Sequence, residues 1–110
     1  MNYVVVGEAA QLPPGTMKSF MVSGKKLLVA NIDGSYYAIG GICTHAGGDL
    51  SKGKLEGRVV VCPRHGSRFD VTTGEALSGP RFGFVKLKTA NEPAYAVKVE
   101  GGKIMAAIPA

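Results

Sequence analysis

Two short segments hold every cysteine and histidine of the chain. The first is Cys43–His45, with the sequence CTH, and the second, sixteen residues later, is Cys62–His65, with the sequence CPRH. The 110 residues contain only two cysteines and two histidines, so all the soft ligands are concentrated here. Such a set suits zinc, or an iron–sulfur centre in which two histidines replace two cysteines on one iron. The pattern therefore predicts a metal centre.

The spacing of the first pair bears on which metal is bound. Structural zinc sites favour about two to four residues between paired ligands, whereas a single residue separates Cys43 from His45. If the backbone is extended there, the two side chains point to opposite faces, which suits a single ion poorly. A centre with two irons removes the difficulty, because the cysteines can bind one iron and the histidines the other. A zinc site and a pair of reduced thiols beside two unconnected imidazoles stay open as alternatives.

These segments resemble the Rieske [2Fe–2S] proteins, and in particular the small Rieske-type ferredoxins. The resemblance is carried by the first segment together with Cys62–Asp70, and it continues through Thr73–Ala76 and Gly79–Pro80. At a coarser level it covers most of the chain. The double motif is specific, because it requires two ligand pairs with different internal spacings.

The resemblance implies a role for each candidate ligand. Cys43 and Cys62 would bind the inner iron of a single [2Fe–2S] cluster, and His45 and His65 would bind the outer, more exposed iron. The Gly79–Pro80 segment would belong to a loop that covers the cluster from a third side.

The chain departs from the Rieske proteins of respiratory complexes at two places. Those proteins carry an extra cysteine in each ligand loop, where this chain has Gly48 and Arg64, so their disulfide has no counterpart here. They also place a serine and a tyrosine hydroxyl near the cluster sulfurs. Ser67 matches the serine. Phe69 stands at the position of the tyrosine and has no hydroxyl to donate. We therefore expect a potential in the lower part of the Rieske range of about −150 to +300 mV, raised somewhat by Ser67.

With both histidines bound to iron, the chain keeps neither an open metal position nor a nucleophile–base pair. We therefore expect an electron carrier and not an enzyme. Small Rieske-type ferredoxins pass electrons from a reductase to the oxygenase of aromatic-ring dioxygenase systems or to other acceptors, and the resemblance implies such a role. Two alternatives are a redox subunit bound permanently in a larger oxidoreductase and a zinc-stabilised interaction module.

Net charge and hydropathy limit the classes of partner that we expect. The net charge is +5, but the chain lacks the basic run with interleaved aromatics of a nucleic-acid-binding protein. We expect an acidic redox partner instead, attracted by cationic residues near the cluster. These are Lys52, Lys54, Arg58, Arg64, Arg68 and Arg81. No apolar run reaches the ~20 residues that span a bilayer, and the N-terminus lacks signal-peptide features. We expect a monomer in the cytoplasm, since nothing indicates an oxidising compartment.

Sixteen glycines and six prolines favour short strands separated by turns over long helices. Asp33-Gly34 and Gly101-Gly102 predict hairpin turns. Strands are predicted at Tyr3–Val6, Thr16–Val22, Lys26–Ile32, Ser35–Ile39, Lys54–Glu56, Arg58–Val61, Phe69–Val71, Phe84–Lys88, Ala94–Glu100 and Lys103–Ile108. We expect one all-β domain of residues 1–110, an antiparallel sandwich or barrel with a smaller cluster-binding subdomain inserted at about 41–81. The resemblance implies the same Rieske fold.

Overall fold

The computed structural model describes residues 2–44, 47–64, 66–78, 81–82, 85–86 and 90–109. Within these ranges the regular structure consists of strands and two single 3-10 turns, Ala9–Gln11 and Leu50–Lys52. The strands, in chain order, are β1 (Asn2–Glu8), β2 (Met17–Val22), β3 (Lys25–Ile32), β4 (Ser35–Gly40), β5 (Lys54–Glu56), β6 (Val59–Val61), β7 (Arg68–Asp70), β8 (Ala76–Ser78), β9 (Arg81–Phe82), β10 (Val85–Lys86), β11 (Ala94–Tyr95), β12 (Val97–Glu100) and β13 (Lys103–Ile108). The prediction of an all-β chain is confirmed for these residues.

Antiparallel pairing assembles the strands into three sheets and one ribbon. The middle sheet has the strand order β11-β4-β3-β2, and the base sheet has the order β1-β13-β12. The small sheet has the order β5-β6-β7-β8, and the ribbon pairs β9 with β10. Every named pairing is antiparallel, as the many predicted turns require.

Strand β3 of the middle sheet is buried on both of its faces. Leu27 and Val29 of β3 pack in clusters that contain residues of β13, whereas Leu28 and Ala30 pack in the cluster that contains both cysteines. All four residues are at most 1% exposed. A strand buried on both faces needs apolar residues at successive positions, so it loses the alternation of a half-buried strand. This two-sided burial explains the continuous apolar run in β3.

The two predicted hairpin turns are confirmed. Asp33 and Gly34 have φ angles of 53° and 95°, and Gly101 and Gly102 have φ angles of 57° and 76°. Two successive positive φ angles are the requirement of the tight hairpin turn whose twist matches that of the flanking strands. The turns join β3 to β4 and β12 to β13, and so they set the registers of the middle and base sheets.

The predicted strand over Ala94–Glu100 is wrong in one respect, because the structure divides it into two. β11 pairs with β4 in the middle sheet, whereas β12 pairs with β13 in the base sheet. Ala96 lies between them, and its carbonyl accepts the N–H of Ala107 at 2.9 Å. The chain thus passes from one sheet to the next while the alternation of its side chains continues. The predicted strand Phe84–Lys88 lies mostly outside the described residues.

The small sheet occupies residues 54–78, within the range of about 41–81 predicted for an inserted subdomain. The segments before and after it supply the middle and base sheets. The division of the single domain 1–110 into these two parts stays a prediction. Among the described residues, none forms a helix with the length and apolar character needed to cross a membrane.

The two-sided burial of β3 predicts separable effects for two neighbouring leucines. Leu27→Ala and Leu28→Ala should each lower the free energy of unfolding by about 2–5 kcal/mol, because both side chains are buried. Only Leu28→Ala leaves a cavity beside the two cysteines. Leu28→Ala should therefore lose the expected metal centre faster than Leu27→Ala. The loss is followed by visible absorbance, with each variant held the same number of degrees below its own melting temperature. Equal rates of loss in the two variants would contradict this assignment of faces.

Candidate metal centre

The first ligand loop follows β4 and runs from Cys43 to Gly48. The N–H of Cys43 donates to the carbonyl of Gly48 at 2.8 Å, and the N–H of Gly47 donates to the carbonyl of Cys43 at 3.0 Å. A single bridge between Ile42 and Asp49 closes the base of the loop. Backbone hydrogen bonds therefore hold the cysteine end of the loop in one conformation.

The second ligand loop runs from Cys62 to Ser67, between β6 and β7, and repeats this pattern. The N–H of Cys62 donates to the carbonyl of Ser67 at 2.7 Å, and the N–H of Gly66 donates to the carbonyl of Cys62 at 3.2 Å. The fifth residue of each loop is a glycine with positive φ, 68° at Gly47 and 77° at Gly66. Glycine adopts that conformation without steric cost. The two loops thus have equivalent hydrogen bonds, nineteen residues apart.

The two cysteines lie in one buried cluster. Each is 3% exposed, and the cluster also contains Val60 and Phe69. A β-carbon at Gly48 would lie 3.2 Å from Sγ of Cys62, so the end of the first loop contacts the thiol of the second. The structure therefore brings both candidate sulfur ligands to the same side of the middle sheet.

Four of the candidate site residues lie outside the described residues. They are His45, His65, Gly79 and Pro80. In the sequence, His45 is the third residue of the first loop and His65 is the fourth residue of the second loop. Their roles as iron ligands and as a covering loop stay predictions.

The burial and hydrogen bonding of Ser67 bear on whether an iron–sulfur cluster fits this site. The residue is 1% exposed, and its carbonyl accepts the N–H of Cys62. Its hydroxyl has no hydrogen-bond partner among the described residues. A buried hydroxyl without a partner is costly, and a cluster sulfur beside Cys62 would supply the acceptor. Two buried thiols, together with a buried hydroxyl that has no acceptor among the described residues, therefore fit a sulfide-containing cluster.

The structure shows what surrounds the residues at which this chain departs from the respiratory Rieske proteins. A β-carbon at Gly48 would lie 3.1 Å from Cγ of Arg64, so the positions that correspond to the missing disulfide are in contact. The arginine stem occupies the space beside Gly48. Phe69 is fully buried in the cluster with both cysteines, where it packs against them without offering a hydroxyl.

Sequence reasoning missed Glu92, a buried carboxyl that contacts the first loop. Glu92 is 5% exposed, and its Oε2 atom accepts the N–H of Thr44 at 2.9 Å. Burial raises the pKa of Glu92 to about 7, although the hydrogen bond from Thr44 lowers it in part. The two residues are 48 positions apart in the chain. No local pattern links them, so the contact had no signal in the sequence.

Comparison with known families identifies the cofactor. Residues 2–91 match the family model described as the Rieske [2Fe-2S] domain. The ferredoxin component of the naphthalene 1,2-dioxygenase system from Pseudomonas aeruginosa is 40% identical over 95 residues, which cover 86% of this chain and 85% of that protein. The match assigns a [2Fe–2S] cluster, and not zinc, to the centre.

Solved structures agree with the sequence comparison. The ferredoxin of carbazole 1,9a-dioxygenase from Nocardioides aromaticivorans IC177 superimposes with a TM-score of 0.80 at 33% identity, covering 97% of this chain and 98% of that one. A chain in a complex of reduced oxygenase and oxidized ferredoxin in carbazole 1,9a-dioxygenase gives a TM-score of 0.81 at 32% identity, covering 96% and 92%. The expected fold and the expectation of an electron carrier are confirmed.

The buried hydroxyl of Ser67 predicts a change in reduction potential. Ser67→Ala should lower the potential by about 60 mV, the one-electron equivalent of about 1.4 kcal/mol, because a donor to the electron-rich reduced cluster is lost. The potential is measured by protein-film voltammetry. Ser35→Ala, at the exposed β3–β4 hairpin, is the matched control and should not shift it. An unchanged potential in Ser67→Ala would show that the hydroxyl does not reach the cluster.

The raised pKa of Glu92 predicts a pH dependence of stability. Between pH 4.5 and about 7 the folded protein keeps a proton that the unfolded chain releases, so stability falls as the pH rises through this window. The loss is up to about 3 kcal/mol, at about 1.4 kcal/mol for each pH unit. Melting temperatures at pH 5 and pH 8 should therefore differ more in the wild type than in Glu92→Gln. Parallel profiles for the two proteins would exclude Glu92 as the titrating group.

Proposed function

Because this chain belongs to the family of Rieske [2Fe–2S] domains, we propose that it is the ferredoxin component of an aromatic-ring dioxygenase system. It takes single electrons from a reductase and passes them to a terminal oxygenase. The observation that carries the proposal is the 40% identity to a ferredoxin component of this class over most of both chains. The bound cluster supplies the one-electron chemistry, and the protein positions it for both partners.

We assign the cluster ligands to the two loops. Cys43 and Cys62 hold one iron, and His45 and His65 hold the other. The matching hydrogen bonds of the loops and the shared burial of the thiols support the cysteine assignment. The histidine assignment rests on their positions in the same loops and on the family resemblance. In this arrangement, the histidine-bound iron faces the partner.

The assignment extends to the residues around the ligands and to the compartment. Ser67 donates to a cluster sulfur, and the Gly79–Pro80 segment covers the cluster. We further propose a monomer in the cytoplasm, where reducing conditions keep Cys43 and Cys62 available as thiolates for iron.

Five of the six cationic residues predicted near the cluster fall into two groups, and the side chain of the sixth, Arg81, lies outside what the structure describes. Two of them have acidic neighbours, since Arg58 lies 3.2 Å from Asp70 and Arg68 lies 3.2 Å from Glu56. Ion pairing reduces the field that these arginines present to a partner. They therefore contribute less to attraction of an acidic protein than their number suggests.

Lys52, Lys54 and Arg64 form the second group. All three are exposed, and no ion pair involves them in the part of the chain that the structure describes. The lysines line a groove of about 480 Å³, and Cys62, Pro63 and the ion pair between Arg68 and Glu56 line it as well. We propose that this groove receives an acidic surface of the redox partner, because unpaired cations beside the cluster attract carboxylates.

Electron transfer to an oxygenase tests the proposed function. The dithionite-reduced protein is mixed anaerobically with the oxidised terminal oxygenase of a naphthalene or biphenyl dioxygenase system, and cluster oxidation is followed by stopped-flow absorbance. We expect complete oxidation of the carrier within the turnover time of the oxygenase. Size-exclusion chromatography should give a monomer that retains its cluster. A cluster that exists only inside a stable larger complex would favour the alternative of a permanent subunit.

The proposed docking groove is tested with two double variants that each remove two lysine charges. Lys52→Gln with Lys54→Gln should lower the electron-transfer rate about threefold to tenfold at low salt, and should weaken its dependence on ionic strength. Lys98→Gln with Lys103→Gln removes the same formal charge from the β12–β13 hairpin, where these lysines have acidic neighbours in Glu100 and Glu8. This control should change the rate less than about twofold, because it lies away from the docking surface. Equal effects of the two pairs, or a rate independent of salt, would refute the electrostatic groove.

A further inference from the structure

Residues 90–93, here called the clamp segment, contact three separate parts of the fold. The contacts reach the first ligand loop, the end of β4, and the region from Gly74 to the first residue of β8. They are Thr44 Oγ1 to the carbonyl of Ala90 at 2.6 Å, Thr44 N to Glu92 Oε2 at 2.9 Å, Gly40 N to the carbonyl of Pro93 at 2.9 Å, Glu92 N to the carbonyl of Gly74 at 2.8 Å, and Ala76 N to Asn91 Oδ1 at 2.9 Å. The clamp segment therefore ties the first loop to its surroundings.

The two ligand loops differ at the residue after the cysteine. In the second loop this residue is Pro63, which has no N–H and whose ring fixes φ. In the first loop it is Thr44, whose N–H needs an acceptor. The loops otherwise share the same backbone hydrogen bonds. The first loop thus lacks the proline constraint, and the carboxyl of Glu92 contacts it at the equivalent residue.

We propose that Glu92 is a positioning residue for the first ligand loop. By accepting the N–H of Thr44, its carboxyl fixes the peptide between Cys43 and Thr44, and so supplies the restraint that Pro63 supplies in the second loop. The proposal rests on the ligand roles assigned above to Cys43 and His45. Glu92 acts through the orientation of these two ligands and does not itself bind iron.

The packing around Glu92 leaves its carboxyl little freedom. A β-carbon at Gly40 would lie 2.5 Å from Oε1 of Glu92, and a β-carbon at Gly74 would lie 2.2 Å from its carbonyl oxygen. Glycines at these two positions therefore allow the clamp segment to approach β4 and the β7–β8 connection closely. A methyl group on residue 40 would displace the carboxyl while leaving Glu92 itself unchanged.

Three variants and one control test the proposal on the cluster-containing protein. Glu92→Ala removes the acceptor, Glu92→Gln keeps an acceptor oxygen without charge, and Gly40→Ala displaces the native carboxyl. Glu75→Ala, an exposed glutamate on the β7–β8 connection, is the control. The measurements are the EPR spectrum of the reduced protein, the reduction potential and the rate of iron release to a chelator.

We expect Glu92→Ala to shift the g values and the potential and to speed iron release about tenfold, the equivalent of one lost hydrogen bond. Gly40→Ala should shift the g values in the same sense. Glu92→Gln should restore the wild-type g values, and Glu75→Ala should leave all three measurements unchanged. A restraint on the ligands predicts these spectroscopic changes, whereas a role in overall stability alone predicts altered melting with unchanged g values.

Two results would overturn the proposal. One is a Glu92→Ala protein with the g values and iron-release rate of the Glu75→Ala control. The other is a Glu92→Gln protein that behaves like Glu92→Ala, because charge and not hydrogen bonding would then be responsible. If Glu92→Ala fails to fold, a Gly40→Ala protein with wild-type g values would overturn the proposal, and a Glu92→Gln protein with the same g-value shift as Gly40→Ala would assign the effect to charge. Failure of the proposed function is distinguished separately, because it would appear as a cluster-containing wild-type protein that does not reduce the oxygenase, and the g values of the variants would be unaffected by it.

Discussion

The burial of two thiols between the middle sheet and the small sheet is the constraint on which the rest of the structure depends. Cys43 and Cys62 are each 3% exposed, and their loops begin at the ends of β4 and β6. On one face of β3, Leu28 and Ala30 pack in the cluster that contains these thiols, and on the other face the strand packs against residues of β13. The core of the base and the core beneath the metal centre are therefore two sides of one sheet, and β3 serves both.

The residues around the buried thiols have different roles. Ser67 brings a buried donor to the sulfur side of the site, whereas Phe69 contributes packing without a hydroxyl. At the surface, Lys52 and Lys54 line the groove beside the second loop, which we propose as the docking surface for a partner. The second loop is restrained by its own proline, and the first is contacted by a carboxyl from a distant segment. Two equivalent loops are thus held by different means.

The ligand segments and the hairpin turns could be predicted from the sequence, because the signals that specify them are local. The ligand segments contain their residues within three or four positions, and the Asp33-Gly34 turn is specified by two. What could not be predicted depends on long-range pairing. The change of sheet at Ala96 leaves the side-chain alternation intact, and the contact of Glu92 with Thr44 joins residues 48 positions apart. The roles of His45 and His65 rest on their spacing and on the family.

The composition and magnetism of the centre in the purified protein test the central claim most directly. Iron, acid-labile sulfide and zinc are counted, and the EPR spectrum is recorded at low temperature after reduction with dithionite. The account predicts two irons and two sulfides per chain, with a rhombic spectrum whose low average g value is that of a cluster bound by histidine. Zinc without sulfide, or the spectrum of a cluster bound by cysteine alone, would contradict it.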